Sequence, residues 1–233
     1  MRRHGGPEVD VTLLSRAVGA MLAAALVLWL SKRHAPPGSS QPFSDLLGAV
    51  LVGMAVGRLF FLLEEGIDLL ARPMELFFIR GGIAPVPAAI GGIGFLAWTC
   101  RSDLLNRLDH LAPTVLAGLA VWEAGCWWQG SCLGSPSALW WAMPLPGSDL
   151  PRHPVGMYAS ILLALGAVWL WRKPIRWRGA SAAAGLGWAS AVRLVTPLWS
   201  VGQLSHWAWW YLVGSVVGAV GVLTAWRRSE QPI

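Results

Sequence analysis

Apolar and polar positions do not alternate along this chain. They segregate into blocks: seven long apolar runs separated by short polar connections. The runs are Val11–Ser31, Ser44–Leu63, Gly82–Thr99, Asp109–Trp128, Pro154–Trp171, Ala180–Ser200 and Ser205–Trp226. About 20 residues of helix cross the ~30 Å hydrocarbon core of a bilayer, and each run approaches that length. Continuous rather than alternating apolar runs predict helices, not a barrel. The expected fold is an all-α membrane protein with seven transmembrane helices, forming one integral membrane domain over residues 1–233. The third run begins Gly82-Ile83-Ala84-Pro85-Val86-Pro87, directly after Gly81. Two prolines lack backbone donors and glycines permit unusual dihedrals, so this helix is predicted to be broken and to line a cavity.

Composition agrees with the pattern. Of the 233 residues 55% are hydrophobic and 13% charged, where soluble chains carry about 25% charge. Mean hydropathy is +0.53. Sixteen tryptophans against two tyrosines supply interfacial belts. A net charge of +6 invites a nucleic-acid reading. The cations are scattered among short connections, however, and membrane orientation explains them better. Five of the 18 Lys and Arg (Arg2, Arg3, Arg72, Arg80 and Arg152) lie on the side of the N-terminus, and ten lie on the other. The richer side is expected to be cytoplasmic, with the N-terminus outside and the C-terminus inside. The first run is followed directly by Lys32-Arg33-His34 and shows no small-residue cleavage site, so it reads as a retained span rather than a signal peptide. Three unevenly spaced cysteines exclude a disulfide framework. Cys126 and Cys132 are six residues apart. On one continuous helix that is ~9 Å of rise, too far to bridge; a helix ending by Gly130 permits a bridge.

Ionisable residues inside a bilayer are costly and mark function by default. On this topology Arg58, Glu123 and Arg193 fall in the outer halves of the second, fourth and sixth spans. Arg152, His153 and His206 lie in or beside outer connections, and Tyr158 stands one turn into the fifth span. Plainer readings exist for single members: Arg58 snorkels to headgroups, and His206 joins an interfacial tryptophan cluster. One ion pair, of Glu123 with Arg58 or Arg193, accounts for two members but not for the set. No His-Glu-x-x-His or Cys/His spacing supports a metal site. No P-loop or dinucleotide fingerprint and no Gly-x-Ser-x-Gly elbow is present.

The order and spacing of several segments resemble the prolipoprotein diacylglyceryl transferase family. Arg58-Leu59 is similar to the Ala-Arg-Leu-Gly segment of its second helix. Pro73-Met74-Glu75-Leu76-Phe77 with Gly81-Gly82 resembles its Pro-x-Glu-Ile-Phe…Gly-Gly-Met approach to the third. Ala112-Pro113 through Gly134-Ser135-Pro136-Ser137 aligns without a gap to the family signature, and Trp141-Ala142-Met143 follows as Trp-Ala-Met does there. Arg152-His153-Pro154 and Tyr158 match Arg-His-Pro-Ser-Gln-Leu-Tyr-Glu. Arg193 stands in the place of an arginine on the penultimate helix, and Gly202-Gln203-Leu204-Ser205 resembles Gly-Gln-x-Leu-Ser. The family also has seven spans with the N-terminus outside.

The resemblance implies transfer of the diacylglyceryl group of phosphatidylglycerol to a lipobox cysteine thiol of a secreted precursor. It implies no cofactor and no metal, and a multi-pass protein of the bacterial inner (plasma) membrane. Its partners would be anionic phospholipid, the precursor peptide and the membrane, and no nucleic acid. His153, Arg152 and Arg193 become the candidate catalytic residues. Arg58, Glu123, Tyr158, Ser131 and Gln203 become candidate substrate-binding residues. The chain departs from the family at four places. The signature arginine is Glu123, the signature glutamate is Ser131, the third-helix His-Gly-Gly is Val86-Pro87-Ala88, and the glutamate after the tyrosine is Ala159. A cysteine-bearing branch, with Gly-Cys-Phe-x-x-Gly-Cys-Cys-x-Gly in this region, is closer: Gly125-Cys126-Trp127 and Gly130-Ser131-Cys132 match it except at Ser131. The alternative function is a catalytically silent relative that binds phospholipid or lipopeptide. A small-solute transporter fits less well, because its charges belong at the midplane and no internal repeat is visible.

Overall fold

The computed structural model describes residues 11–31, 42–69, 71, 75, 82–128, 132–144, 149–175, 177–200 and 208–229, with side chains from Ser15 onward. These residues form seven α-helices: α1 Val11–Ser31, α2 Pro42–Glu64, α3 Pro85–Thr99, α4 Leu104–Trp128, α5 Val155–Arg172, α6 Ala180–Val195 and α7 Ala208–Ser229. A 3-10 turn, Thr196–Trp199, follows α6, and a two-stranded antiparallel ribbon, β1 Met143–Pro144 with β2 Pro151–Arg152, lies between α4 and α5. Among the described residues three helices are long and apolar enough to cross a membrane: Pro42–Glu64, Val155–Arg172 and Ala208–Arg228. Ser15–Ser31 and Pro85–Thr99 are shorter apolar helices. Ser131, Gln203 and His206 lie outside the described residues.

The helices pack in two units, one holding α2 and α3, the other α1 from Arg16 together with α4–α7. In the first, α2 and α3 run antiparallel along a small-residue seam. A Cβ on Gly53 would sit 2.7 Å from the carbonyl oxygen of Ala88, and one on Gly57 would sit 2.9 Å from that of Ala84. Such backbone approach is the packing mode expected of Gly-x-x-x-Gly pairs between membrane helices.

The third helix differs from its prediction. It is continuous from Pro85 to Thr99, with a proline in its first turn and Ala84 as an extended N-cap. The first turn of a helix has no intrahelical acceptors for its N–H groups, so Pro85 and Pro87 remove nothing the helix uses. Among the described residues the irregular part is 82–84, where the amide of Ala84 donates to the Gly57 carbonyl of α2 at 3.0 Å.

The core of the second unit lies where α4, α5 and α6 meet, around Leu116, Leu163, Leu170 and Val192. Helix α5 is antiparallel to α6, with Gly166 under the ring of Trp188 and the Trp188 indole donating to the Leu162 carbonyl at 2.8 Å. Helices α6 and α7 approach through Gly187 and Gly218, again antiparallel. Helix α1 runs antiparallel to α4, with Gly118 against Ala20. Val213, Val216, Val217, Val220 and Leu223 of α7 are exposed. An apolar face of that kind suits lipid as solvent.

The sixth predicted span divides into α6 and the 3-10 turn. Pro197 cannot donate to the carbonyl of Arg193, and the Thr196 hydroxyl takes the Val192 carbonyl at 2.8 Å. Asp109 of α4 caps the start of α6: its carboxylate accepts the amides of Gly179 at 2.5 Å and Ala182 at 2.7 Å. These are among the N–H groups that a helix start leaves without partners.

Candidate active site

Three helix ends converge at one face of the second unit: the end of α4, the start of α5 and the end of α6. Glu123, one turn and a half before α4 finishes, is 5% exposed. Its carboxylate meets the guanidinium of Arg193 on α6 at 2.5 Å. The arginine side chain keeps 33% of its surface exposed against 7% for the glutamate. The carboxylate is therefore held inside, while part of the guanidinium side chain stays exposed. A guanidinium has five N–H groups in a planar fork, enough to hold a carboxylate and a second anion at once.

From Cys132 the described chain packs against the starts and ends of its neighbouring helices. Cys126 and Cys132 are bridged, with their Cα atoms 5.5 Å apart. Helix α4 ends at Trp128, within the limit set by the sequence argument, and the bridge forms. Residues 134–137 then knit into the start of α5. The Gly134 amide donates to the His153 carbonyl at 2.7 Å, that of His153 to Ser135 at 3.0 Å, and that of Ser135 to the Trp199 carbonyl at 2.7 Å. The ribbon pairs Met143 with Arg152, and Pro136 bridges to Arg152 from the other side. Gly134 and Gly156 are glycines because of close approach. A Cβ on the former would overlap the Trp199 carbonyl, and one on the latter would lie 3.0 Å from the Glu123 carbonyl and 3.1 Å from Cys132.

Arg152 and His153 hang from this framework. An Nη of Arg152 donates to the Gly134 carbonyl at 3.2 Å, while its Nε is buried without a partner among the described residues. A buried guanidinium donor left open is costly unless something else accepts from it. His153 Nδ1 lies 3.2 Å from the hydroxyl of Tyr158, which in turn accepts from the Trp141 indole at 2.7 Å. Trp199 stacks edge-on against the Tyr158 ring at 5.9 Å. The tyrosine oxygen has lone pairs for both neighbours. In the tautomer whose Nδ1–H donates to it, the other ring nitrogen of His153 carries the lone pair; in the opposite tautomer the tyrosine hydroxyl donates to Nδ1.

The second unit thus holds two groups of the expected residues, the Glu123–Arg193 pair and the His153–Tyr158 contact next to Arg152 in sequence. Arg58 belongs to the first unit. It is 4% exposed, and its guanidinium donates to the backbone carbonyls of Gly82 at 3.1 Å and Glu75 at 3.2 Å. There it secures the approach to α3. Sequence reasoning gave no role to Arg16. Its guanidinium lies 4.4 Å over the Trp122 ring, its Nε donates to the Trp122 carbonyl at 3.3 Å, and its stem covers Gly125. An arginine inside the first apolar run was the available signal.

Comparison with known proteins gives a consistent picture. Residues 12–226 match the family described as prolipoprotein diacylglyceryl transferase. The phosphatidylglycerol–prolipoprotein diacylglyceryl transferase of Vibrio vulnificus (strain YJ016) is 34% identical over 162 residues, covering 63% of this chain and 60% of that protein. The protein of the same name from Paracidovorax citrulli is 31% identical over 207 residues, covering 81% of this chain and 75% of the relative. That from Idiomarina loihiensis is 34% identical over 165 residues, with 65% and 60% covered. The chain therefore spans about 60% of the length of the Vibrio and Idiomarina relatives.

Proposed function

The chain belongs to the prolipoprotein diacylglyceryl transferase family, and from that premise we propose that it transfers a diacylglyceryl group from an anionic phospholipid, phosphatidylglycerol, to a cysteine thiol of a secreted precursor. The observation that carries this reading is the open arginine face. Arg193 is anchored by Glu123 yet one third exposed, and the same unit carries Arg152 and a histidine in contact with Tyr158. In the proposed step His153 takes the proton of the lipobox thiol. The thiolate attacks the phosphate-bearing carbon of the diacylated glycerol, a carbon–sulfur bond forms, that carbon's bond to the phosphate oxygen breaks, and the headgroup leaves as glycerol phosphate. Arg193 and Arg152 stabilise the leaving phosphate by charge-assisted contacts.

The same reading makes the chain one multi-pass domain of the bacterial inner membrane, with seven spans and the N-terminus outside. The Cys126–Cys132 bridge supports that orientation, since disulfides persist on the oxidising side of a bacterial membrane. Ser131 and Gln203 are included in the proposed lipid-binding set. No cofactor takes part.

A second reading has its own support. Glu123 stands where the family signature has arginine, and it neutralises Arg193. A silent relative that binds phospholipid or lipopeptide fits this charge pattern. The deciding experiment uses purified protein, labelled phosphatidylglycerol and a lipobox peptide. Transfer is expected, with Arg193→Ala weakening lipid binding and turnover together. His153→Ala should lower turnover and leave binding intact. Charge-assisted contacts of about 1.5–3 kcal/mol each give tenfold or greater preference over zwitterionic lipid. Binding without transfer establishes the silent relative, and equal affinity for the two lipid classes overturns both readings.

A further inference from the structure

The first turn of α5 has no side-chain cap. Its N-cap residue is Pro154, which offers no side-chain acceptor, although the first amides of a helix lack partners within it. The Gly156 amide donates instead to the carbonyl of Cys132 at 3.1 Å. Cys132 is bridged to Cys126, which is 5% exposed near the end of α4, so this acceptor is tied covalently to α4. The fit around Gly156 is close. A Cβ there would lie 3.0 Å from the Glu123 carbonyl oxygen and 3.1 Å from the Cβ atoms of Cys132 and Trp127. Tyr158 follows in the same turn of α5.

The chain just beyond Cys132 holds the residues before α5. The His153 carbonyl accepts from the Gly134 amide at 2.7 Å, and the His153 amide donates to the Ser135 carbonyl at 3.0 Å. The Gly134 carbonyl accepts from the Arg152 guanidinium at 3.2 Å. The bridge therefore stands between the two groups of site residues. About one turn before Cys126 on α4 is Glu123, which holds Arg193. On the Cys132 side are the backbone contacts that place Arg152, His153 and the turn carrying Tyr158.

We propose that the Cys126–Cys132 bridge is a positioning element of the candidate site. Closed, it holds the His153–Tyr158 contact in a fixed place relative to the Glu123–Arg193 pair; opened, it releases one from the other. Opening takes a dithiol. One thiolate of the reductant attacks a sulfur of the bridge, and its second thiol then displaces the first. The reductant leaves as a disulfide, and Cys126 and Cys132 take its two electrons and two protons as thiols. The effect on turnover rests on the transferase reading above, whereas the effect on the His153–Tyr158 contact does not.

The test uses full-length protein in neutral detergent in three forms: bridged, opened with dithiothreitol that is then removed, and Cys126→Ser/Cys132→Ser. Each is prepared with and without Tyr158→Phe. NMR of isotope-labelled histidine reports the environment of His153 Nδ1, assigned by the signal lost in His153→Gln. Transfer from phosphatidylglycerol to a lipobox peptide is measured alongside. Tyr158→Phe should shift the His153 signal in the bridged protein and leave it in place in both open forms. Opening should lower transfer by about tenfold to a hundredfold, the scale of effect for a displacement of about 1 Å, and Tyr158→Phe should then lower it no further. A plain staple would leave the Tyr158→Phe effect equal in all three forms, and that result overturns the proposal. So does alkylation of Cys126 and Cys132 in the protein as purified, or a loss of helix content on opening, which would make the bridge a support of the whole fold. A bridge-dependent His153 shift in a protein that transfers nothing keeps the proposal and removes the transferase reading.

Discussion

The Glu123–Arg193 pair can be tested by a double-mutant cycle with Glu123→Gln, Arg193→Gln and both together. The two charges meet at 2.5 Å, with the glutamate side chain 7% and the arginine 33% exposed. Unit charges 4 Å apart attract by about 4 kcal/mol at an effective dielectric constant near 20. Against this stands the desolvation of a nearly enclosed carboxylate and part of a guanidinium. Breaking a fully buried pair costs about 3–5 kcal/mol, and exposed pairs give about 0.2–1 kcal/mol. An arginine one third open to its surroundings places the coupling between them, at about 1–3 kcal/mol. The single variants should be unequal. Glu123→Gln leaves a guanidinium that can turn toward headgroups, whereas Arg193→Gln strands a carboxylate that cannot. Unfolding in a mild detergent should therefore give Arg193→Gln the lower midpoint and the double variant less than the sum of the losses. Additivity within about 0.3–0.5 kcal/mol, the behaviour of independent sites, would refute the pair.

Other outcomes follow from single features. Cysteines introduced in the connection at 172–178 should be labelled only from the cytoplasm, because four cations in seven residues set the strongest inside bias in the chain; labelling from outside intact cells would reverse the topology. Gly57→Leu should destabilise by about 1–3 kcal/mol or more through overpacking, since even a Cβ there would meet Ile83, Ala88 and the Ala84 carbonyl; an unchanged melting midpoint would count against the α2–α3 seam. Tyr158→Phe removes the contacts to Trp141 and His153, and transfer should fall by about tenfold to a hundredfold, with phosphatidylglycerol affinity unchanged in a binding assay.

Much of the architecture was legible because bilayer-length apolar runs are a coarse, strong signal. The first run and α1 share both ends, Val11 and Ser31, and α5 differs from its run by one residue at each end. The differences arise where a local rule depends on phase. Pro85 and Pro87 break a helix that contains them but fit one that starts at Pro85, and the sequence alone does not choose the start. Pro197 has the opposite effect, turning the last part of the sixth run into a 3-10 turn. Helix α4 begins before Asp109, at Leu104, because polar residues there are tolerated outside the apolar stretch. The ribbon of Met143–Pro144 and Pro151–Arg152 has no periodic signal at all, since two residues per strand cannot show alternation. At the site, charge in an apolar run flagged Glu123 and Arg193 correctly as partners but left Arg58 as an equal choice. What separates them is three-dimensional: Arg58 has backbone carbonyls of its own unit to satisfy. The same limit hid the Cys126–Cys132 bridge, which depends on where α4 stops.

The replacement of a signature arginine by Glu123 bears on the chemistry through charge balance. On the proposed reading the site holds Arg193 and Arg152 against Glu123, one net positive charge for the single negative charge of a phosphodiester. A third arginine in the place of Glu123 would leave two excess charges, which a water-poor site tolerates badly. When the thiol gives its proton to His153, the histidine becomes cationic and the protein side gains one charge. At the same moment the diester becomes a departing phosphate monoester and gains one negative charge. The two changes match, and the proton lost by sulfur resides on the residue positioned by Tyr158. Glu123 is then compatible with transfer so long as Arg193 keeps its exposed face toward the lipid. Its cost falls on affinity: a guanidinium already holding a carboxylate has fewer donors for the phosphate. A family member built this way should bind its donor lipid more weakly than one with a free arginine and still turn over. That expectation separates a diverged enzyme from a silent one, since a silent binder has no reason to keep His153 and the Trp141–Tyr158 support that orients it.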